Sequence, residues 1–82
     1  MQITDIKVRQ TFDSGKLRAM VSITIDKMFA IHEIKVLEGE TGFFIAMPSK
    51  KLSNGEHRDI AHPINSETRQ MMQKAILDAY EA

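Results

Sequence analysis

The segment "KLRAMVSITID", Lys16 to Asp26, constrains the fold more than any other part of the chain. Leu17, Ala19, Val21, Ile23 and Ile25 alternate with Lys16, Arg18, Met20, Ser22, Thr24 and Asp26. A period of two puts one face on a core and the other towards water, as a half-buried β-strand requires. "DSG" (Asp13 to Gly15) precedes it as a turn signal, and "ITDIKVRQTF" before that is rich in β-branched residues. Strand, turn, strand reads as an antiparallel hairpin. Ile6 and Val8 share a parity that Ile3 lacks, which predicts a bulge near Thr4 and Asp5 or a strand that starts later.

The rest of the chain supplies the partners. "MFAIHEIKVLEG" is also β-rich, but its apolar parity changes between Phe29 and Ile31 and then Ile34 and Val36, so a bulge intervenes or both faces are partly covered. Gly39 and Gly42 bracket a turn, and "GFFIAMP" follows as a short strand, apolar on both faces, that Pro48 ends. A strand of that kind is usually covered by a helix on one side and another layer or chain on the other, which leans towards a dimer. From "INSETRQMMQKAILDAYEA" onward the period becomes helical. Asn65 or Ser66 is the N-cap, and Glu67 lies in the first turn, where the helix dipole favours a carboxylate. Thr68, Met72, Ala75, Ile76 and Ala79 form one stripe flanked by Met71 and Tyr80. The expected fold is α+β: an antiparallel sheet of four to five strands with one C-terminal helix packed on it.

Eighty-two residues (1–82) make a single domain near the lower size limit for an unaided core. A second copy is a natural remedy. No cysteine is present, so neither a disulfide nor a thiolate metal site is available. The N-terminus lacks an apolar signal region, and no apolar run approaches the roughly 20 residues that cross a bilayer. The expected address is the cytoplasm, with no membrane partner. Eleven basic residues balance eleven acidic ones, which argues against non-specific polyanion binding, so any nucleic-acid surface must be a local patch.

"PSKKLSNGEHRDIAHP", Pro48 to Pro63, holds such a patch. It contains Lys50, Lys51 and Arg58, two of the three histidines and both prolines. Asn54-Gly55 is a strong two-residue hairpin signal. Counting outward from a two-residue loop sets Ser53 opposite Glu56, Leu52 opposite His57, Lys51 opposite Arg58 and Lys50 opposite Asp59. Two cations across from each other are unfavourable by up to about 1 kcal/mol, which an anion bound there would offset.

Other chemistries fit less well. His57 and His62 are five apart with Asp59 between them, not the i, i+4 spacing of helical zinc ligands, so no metal or other cofactor is expected. His62 is expected to pack near the helix start, hydrogen-bonded to backbone. Asp59, His62 and scattered serines lack a local nucleophile motif, and the glycines are dispersed, so catalysis is not expected. The helix holds Arg69 and Lys74 against Glu67, Asp78 and Glu81, which suits a cover for the sheet better than a groove-reading helix.

In "FFIAMPSKK", "NGEHRDIAHPINSETR" and "MQITDIKVR", with "SITIDKMFAIHEIKV" between, the chain resembles the stage V sporulation protein G family of bacterial septation regulators. The resemblance spans essentially the whole chain. It implies a homodimer, a sheet-plus-helix fold and binding to DNA, in some members RNA, with regulatory consequences in septation or sporulation. Carried onto this sequence, the basic positions of the shared motif are Lys50, Lys51 and Arg58, with Arg69 at the helix start. Many relatives carry Arg where Lys51 stands, and Lys cannot make Arg's paired parallel bonds to guanine or phosphate. The alternative function is a protein-interaction module acting indirectly in cell division, which the few aromatic residues and neutral charge suit.

Overall fold

The computed structural model describes residues 2–81. Four strands form one antiparallel sheet in the order β1-β2-β3-β4: β1 Ile3–Thr11, β2 Leu17–Ile25, β3 Phe29–Gly39 and β4 Gly42–Ala46. A separate two-stranded ribbon follows, β5 Ser49–Lys51 with β6 His57–Asp59, and then the helix α1, Ser66–Glu81. This is the expected α+β layout, with the short strands standing apart from the main sheet as an arm.

The alternation in β2 becomes the floor of the core. Ala19, Val21 and Ile23 are buried, joined by Ile34 and Val36 of β3, Ile45 of β4, Met47, and Met72 and Ile76 of α1. Both expected irregularities occur. Thr4 is the extra residue between the Ile3–Ile25 and Asp5–Thr24 pairs. In β3, His32 and Glu33 together oppose Ser22, between the Val21–Ile34 and Ile23–Ile31 pairs. That bulge, with Glu33 at φ 62°, turns both Ile31 and Ile34 towards the core despite their odd spacing. The turn from β2 to β3 left no glycine signal in the sequence. Asp26 and Lys27 both take positive φ, and Gln2 holds them from the side, its N–H donating to Asp26 Oδ1 at 2.8 Å. Thr4 Oγ1 accepts from the Lys27 N–H at 2.9 Å.

On α1 the cap is Asn65, whose Oδ1 accepts from the Thr68 N–H at 2.7 Å. The stripe buries Met72 and Ile76, but its flanking apolar partners are Leu77 and Tyr80, with Met71 40% exposed. Tyr80 meets Phe43 edge to face at 5.5 Å. The doubly apolar β4 divides as alternation requires. Phe43 and Ile45 face the helix, while Phe44 lies on the open face at 42% exposure with its ring against Gly39. A Cβ at Gly39 would sit 3.0 Å from that ring, so the chain covers part of its own apolar strand. Among the described residues, no helix is long and apolar enough to cross a membrane.

Candidate nucleic-acid interface

Pro48 ends the β4 segment, and its carbonyl accepts from the Ile60 N–H at 2.8 Å, closing the root of the arm. At the tip, the Leu52 N–H donates to the Glu56 carbonyl at 2.7 Å, and the Gly55 N–H donates to the Leu52 carbonyl at 3.0 Å. The loop is therefore three residues, Ser53 to Gly55, not two. Of these only Gly55 takes positive φ, 89°. A type I′ turn would need it at Asn54 as well, so this is a type I turn closed by a left-handed glycine. The Asn54 side chain holds that choice, its Oδ1 accepting from the Glu56 N–H at 3.0 Å.

One extra loop residue shifts every pair, which corrects the register expected from the sequence. Lys50 lies opposite Arg58, Lys51 opposite His57, and Ser49 opposite Asp59. Because side chains alternate along a strand, the cations divide between two faces. Lys50 and Arg58 share one face; Lys51 shares the other with His57, Ser49 and Asp59. All six residues of the two strands are exposed. Like charges still oppose each other, but the pair is Lys50 with Arg58, and Lys50 has no carboxylate across from it. The ion pairs among the described residues, Arg18–Glu38 at 2.6 Å and Lys74–Asp78 at 2.8 Å, lie elsewhere. The second of these raises the Lys74 pKa, chiefly through its hydrogen bond to Asp78.

Arg69 is placed differently. Its Nη2 donates to the Ile45 carbonyl at 2.8 Å, while Gln73 Oε1 accepts from the Ile45 N–H at 3.3 Å. β4 is an edge strand, and these two side chains of α1 occupy backbone groups that β3 does not reach. Arg69 thus pins helix to sheet, and it shares a hollow of about 230 Å³ with Ser66, Gln70 and Gln73. No motif marks this role, since Arg69 and Ile45 are distant in sequence.

The histidines also separate. His57, Arg58, Asp59 and His62 line a cleft of about 500 Å³ at the side of the arm. His62 Nδ1 lies 3.1 Å from the Pro63 carbonyl, the backbone bond expected of it. Among the described residues, no group of three or more His, Asp or Glu side chains is arranged to hold a metal ion. His32 makes a contact that the sequence reading missed: its Nδ1 is 2.9 Å from Ser22 Oγ, which also accepts from Arg9 Nε at 3.4 Å. That resembles a nucleophile–base pair in distance, but Ser22 is only 7% exposed and has no room for a substrate. It pins the β3 bulge to the sheet.

The sequence matches the SpoVG family over residues 1–82. It is 63% identical over 81 residues to a protein of Lachnospira eligens, covering 99% of this chain and 92% of that one. A protein of Clostridium novyi is 60% identical over 81 residues, covering 99% and 81%. One of Caldicellulosiruptor bescii is 54% identical over 82 residues, covering 100% and 93%. All three carry the name "Putative septation protein SpoVG".

Proposed function

Because the chain belongs to the SpoVG family, we propose that it is a septation-related regulator that binds nucleic acid, DNA and also RNA, through its two-stranded arm. The observation that carries this reading is the Lys50–Arg58 pair: two cations facing each other across an exposed ribbon. An opposed pair of like charges weakens a ribbon unless an anion lies between them. A two-stranded ribbon is also narrow enough to enter a duplex major groove, where phosphate oxygens flank both strands. The neutral total charge keeps binding modest, and the phosphate contacts make it salt-dependent.

The test is a titration of labelled DNA and RNA at several salt concentrations. Each phosphate contact contributes about 0.9 to the slope of log affinity against log salt on duplex DNA. Lys50→Ala with Arg58→Ala should flatten that slope by about 2 units, with the circular dichroism spectrum unchanged. A slope identical to that of the native protein would reject the arm as the contact.

A homodimer belongs to the same proposal, and so does the second reading, a protein-interaction module. Both are favoured by the groove of about 510 Å³ where Phe29 and Ile60, each 69% exposed, meet Ile31, Pro48 and Ala61. Exposed apolar side chains gathered in one groove suit a protein partner, and a second copy also adds the burial that so short a chain needs. Light scattering that returns the 9.3 kDa monomer mass at all concentrations would overturn the dimer.

A further inference from the structure

Helix α1 covers one face of the four-stranded sheet, where Val21, Ile34 and Ile45 are buried with Met72 and Ile76. Their neighbours along each strand point the other way, to the open face. Pairing across the sheet fixes what stands there. Lys7 lies opposite Ser22, Met20 opposite both Gln10 and Lys35, and Leu37 opposite Phe44. Arg9, the extra residue between Val8 and Gln10, joins this face, since its Nε donates to Ser22 Oγ at 3.4 Å. Lys7, Arg9, Lys35 and Phe44 are all exposed.

Two features set this face apart from an ordinary solvated one. The first is its charge. Lys7 and Arg9 stand on an edge strand, where cations also guard against edge pairing. Lys35 has no such duty: it lies inside the sheet between Met20 and Ala46, with no acid across from it on either side. None of the three belongs to an ion pair of the described residues. The acids here, Asp5 opposite Thr24 and Glu33 in the β3 bulge, lie towards the end of the face away from Phe44. In a chain whose charges balance, three uncommitted cations on one face are a local excess. The second feature is Phe44 itself. Its ring, opposite Leu37 and diagonal to Lys35, offers a flat apolar surface at one end of the cationic track.

We propose that the open face of the sheet is a second nucleic-acid site, taking single-stranded DNA or RNA: its phosphates follow Lys7, Arg9 and Lys35, and one unpaired base lies on Phe44. β1 and β3 are two strand spacings apart, roughly 10 Å, so a strand crossing the sheet meets cations on both sides of Met20. Stacking on an aromatic ring is open to any unpaired base. A duplex fits poorly, because its bases are stacked on each other and a flat face has no ridge to enter a groove. The site is separate from the arm and does not depend on the arm's role.

The experiment measures fluorescence anisotropy of the full chain with a labelled single-stranded oligonucleotide of mixed sequence and, in parallel, a labelled duplex, each at several salt concentrations. A phosphate contact contributes about 0.7 to the salt slope on a single strand, so Lys7→Gln with Lys35→Gln should flatten that slope by about 1.4 units. Arg9 is kept, because it also bonds Ser22. Phe44→Leu retains an apolar side chain beside Gly39 but removes the ring, and should weaken single-strand binding on the order of tenfold with the slope unchanged. Duplex affinity and the urea midpoint should hold in both variants. Single-strand binding that is indifferent to both variants overturns the sheet-face site, as does an equal loss on single strand and duplex, since one surface would then serve both. Displacement of the oligonucleotide by poly-glutamate at matched charge also overturns it, in favour of an acidic protein. If the native chain binds the duplex but no single strand, the sheet-face site falls and the arm reading stands.

Discussion

The sheet-and-helix body and the arm are built on opposite terms. In the body, nine apolar side chains among the described residues are buried between the sheet and α1, and Ser22 and Arg69 are bonded to His32 and to the β4 edge. In the arm, every residue of both strands is exposed, and two cations face each other. The body is held by burial, with each kilocalorie tied to shape. The arm is held by backbone bonds and a turn. An element that adds so little to the core can carry an unfavourable charge pattern without endangering the fold, and this separates stability from binding. Substitutions in the core or in the arm should therefore move one measurement and leave the other still.

The largest expected effect is in the body. Ile34 is fully buried beside Val21, its partner across the sheet. Ile34→Ala removes that packing and leaves a cavity, lowering unfolding free energy by about 2–5 kcal/mol. Urea unfolding should show a midpoint shift of matching size. A loss below about 1 kcal/mol would mean that the sheet–helix layer is not what holds the chain together.

The two regions also differ in how legible they were. The alternation of β2, the helix with its stripe, and the parity breaks at Ile3 and between Ile31 and Ile34 all follow from local pattern, because burial on one face imposes a period on the residues themselves. The arm has no buried face, so nothing in its strands fixes register, and only the turn could. Asn-Gly suits both a two-residue loop and a three-residue one, and the difference lies in whether Asn54 or only Gly55 adopts positive φ. That single dihedral moved Lys50 from Asp59 to Arg58 and put Lys51 on the other face. The structural contact of Arg69 was hidden for another reason. A basic residue at a helix start looks alike whether it meets phosphate or a carbonyl, and the Ile45 carbonyl comes from a strand that only the tertiary fold brings close.

Arg69 offers the next test, since it asks to which region a residue belongs. Arg69→Ala leaves the Ile45 carbonyl at the sheet edge without its charged donor, and should lower stability by about 1–2 kcal/mol. The salt slope of nucleic-acid binding should stay as it is. The reverse result, a flatter slope at unchanged stability, would move Arg69 from the body to the contact surface.

Gly55→Ala probes the arm alone. No atom lies within 4 Å of the added Cβ, so packing is untouched, but φ of +89° strains any side chain by about 1–2 kcal/mol. The urea midpoint should hold, because the arm lies outside the core. Hydrogen exchange at the Leu52 and Ile60 amides, which bond across the ribbon, should accelerate about five- to thirtyfold. An equal acceleration at core amides of β2 would show that the arm and the body unfold together.

The smallest effects on stability should come from the lysines, where binding becomes the only readout. Lys50→Ala and Lys51→Ala are exposed changes and should each alter unfolding free energy by no more than about 0.5 kcal/mol. Removing Lys50 also relieves its repulsion with Arg58, so any change there should be towards a firmer ribbon. Their effects on binding should diverge, because neighbouring residues of a strand lie on opposite faces and only Lys50 shares its face with Arg58. Lys50→Ala should flatten the salt slope by about 1 unit. Lys51→Ala should flatten it by less, because Asp59 shares the Lys51 face and opposes an approaching phosphate there. Identical losses from the two variants would mean that the ribbon's faces do not act separately, and the division of labour within the arm would have to be abandoned even if the arm itself remained the contact.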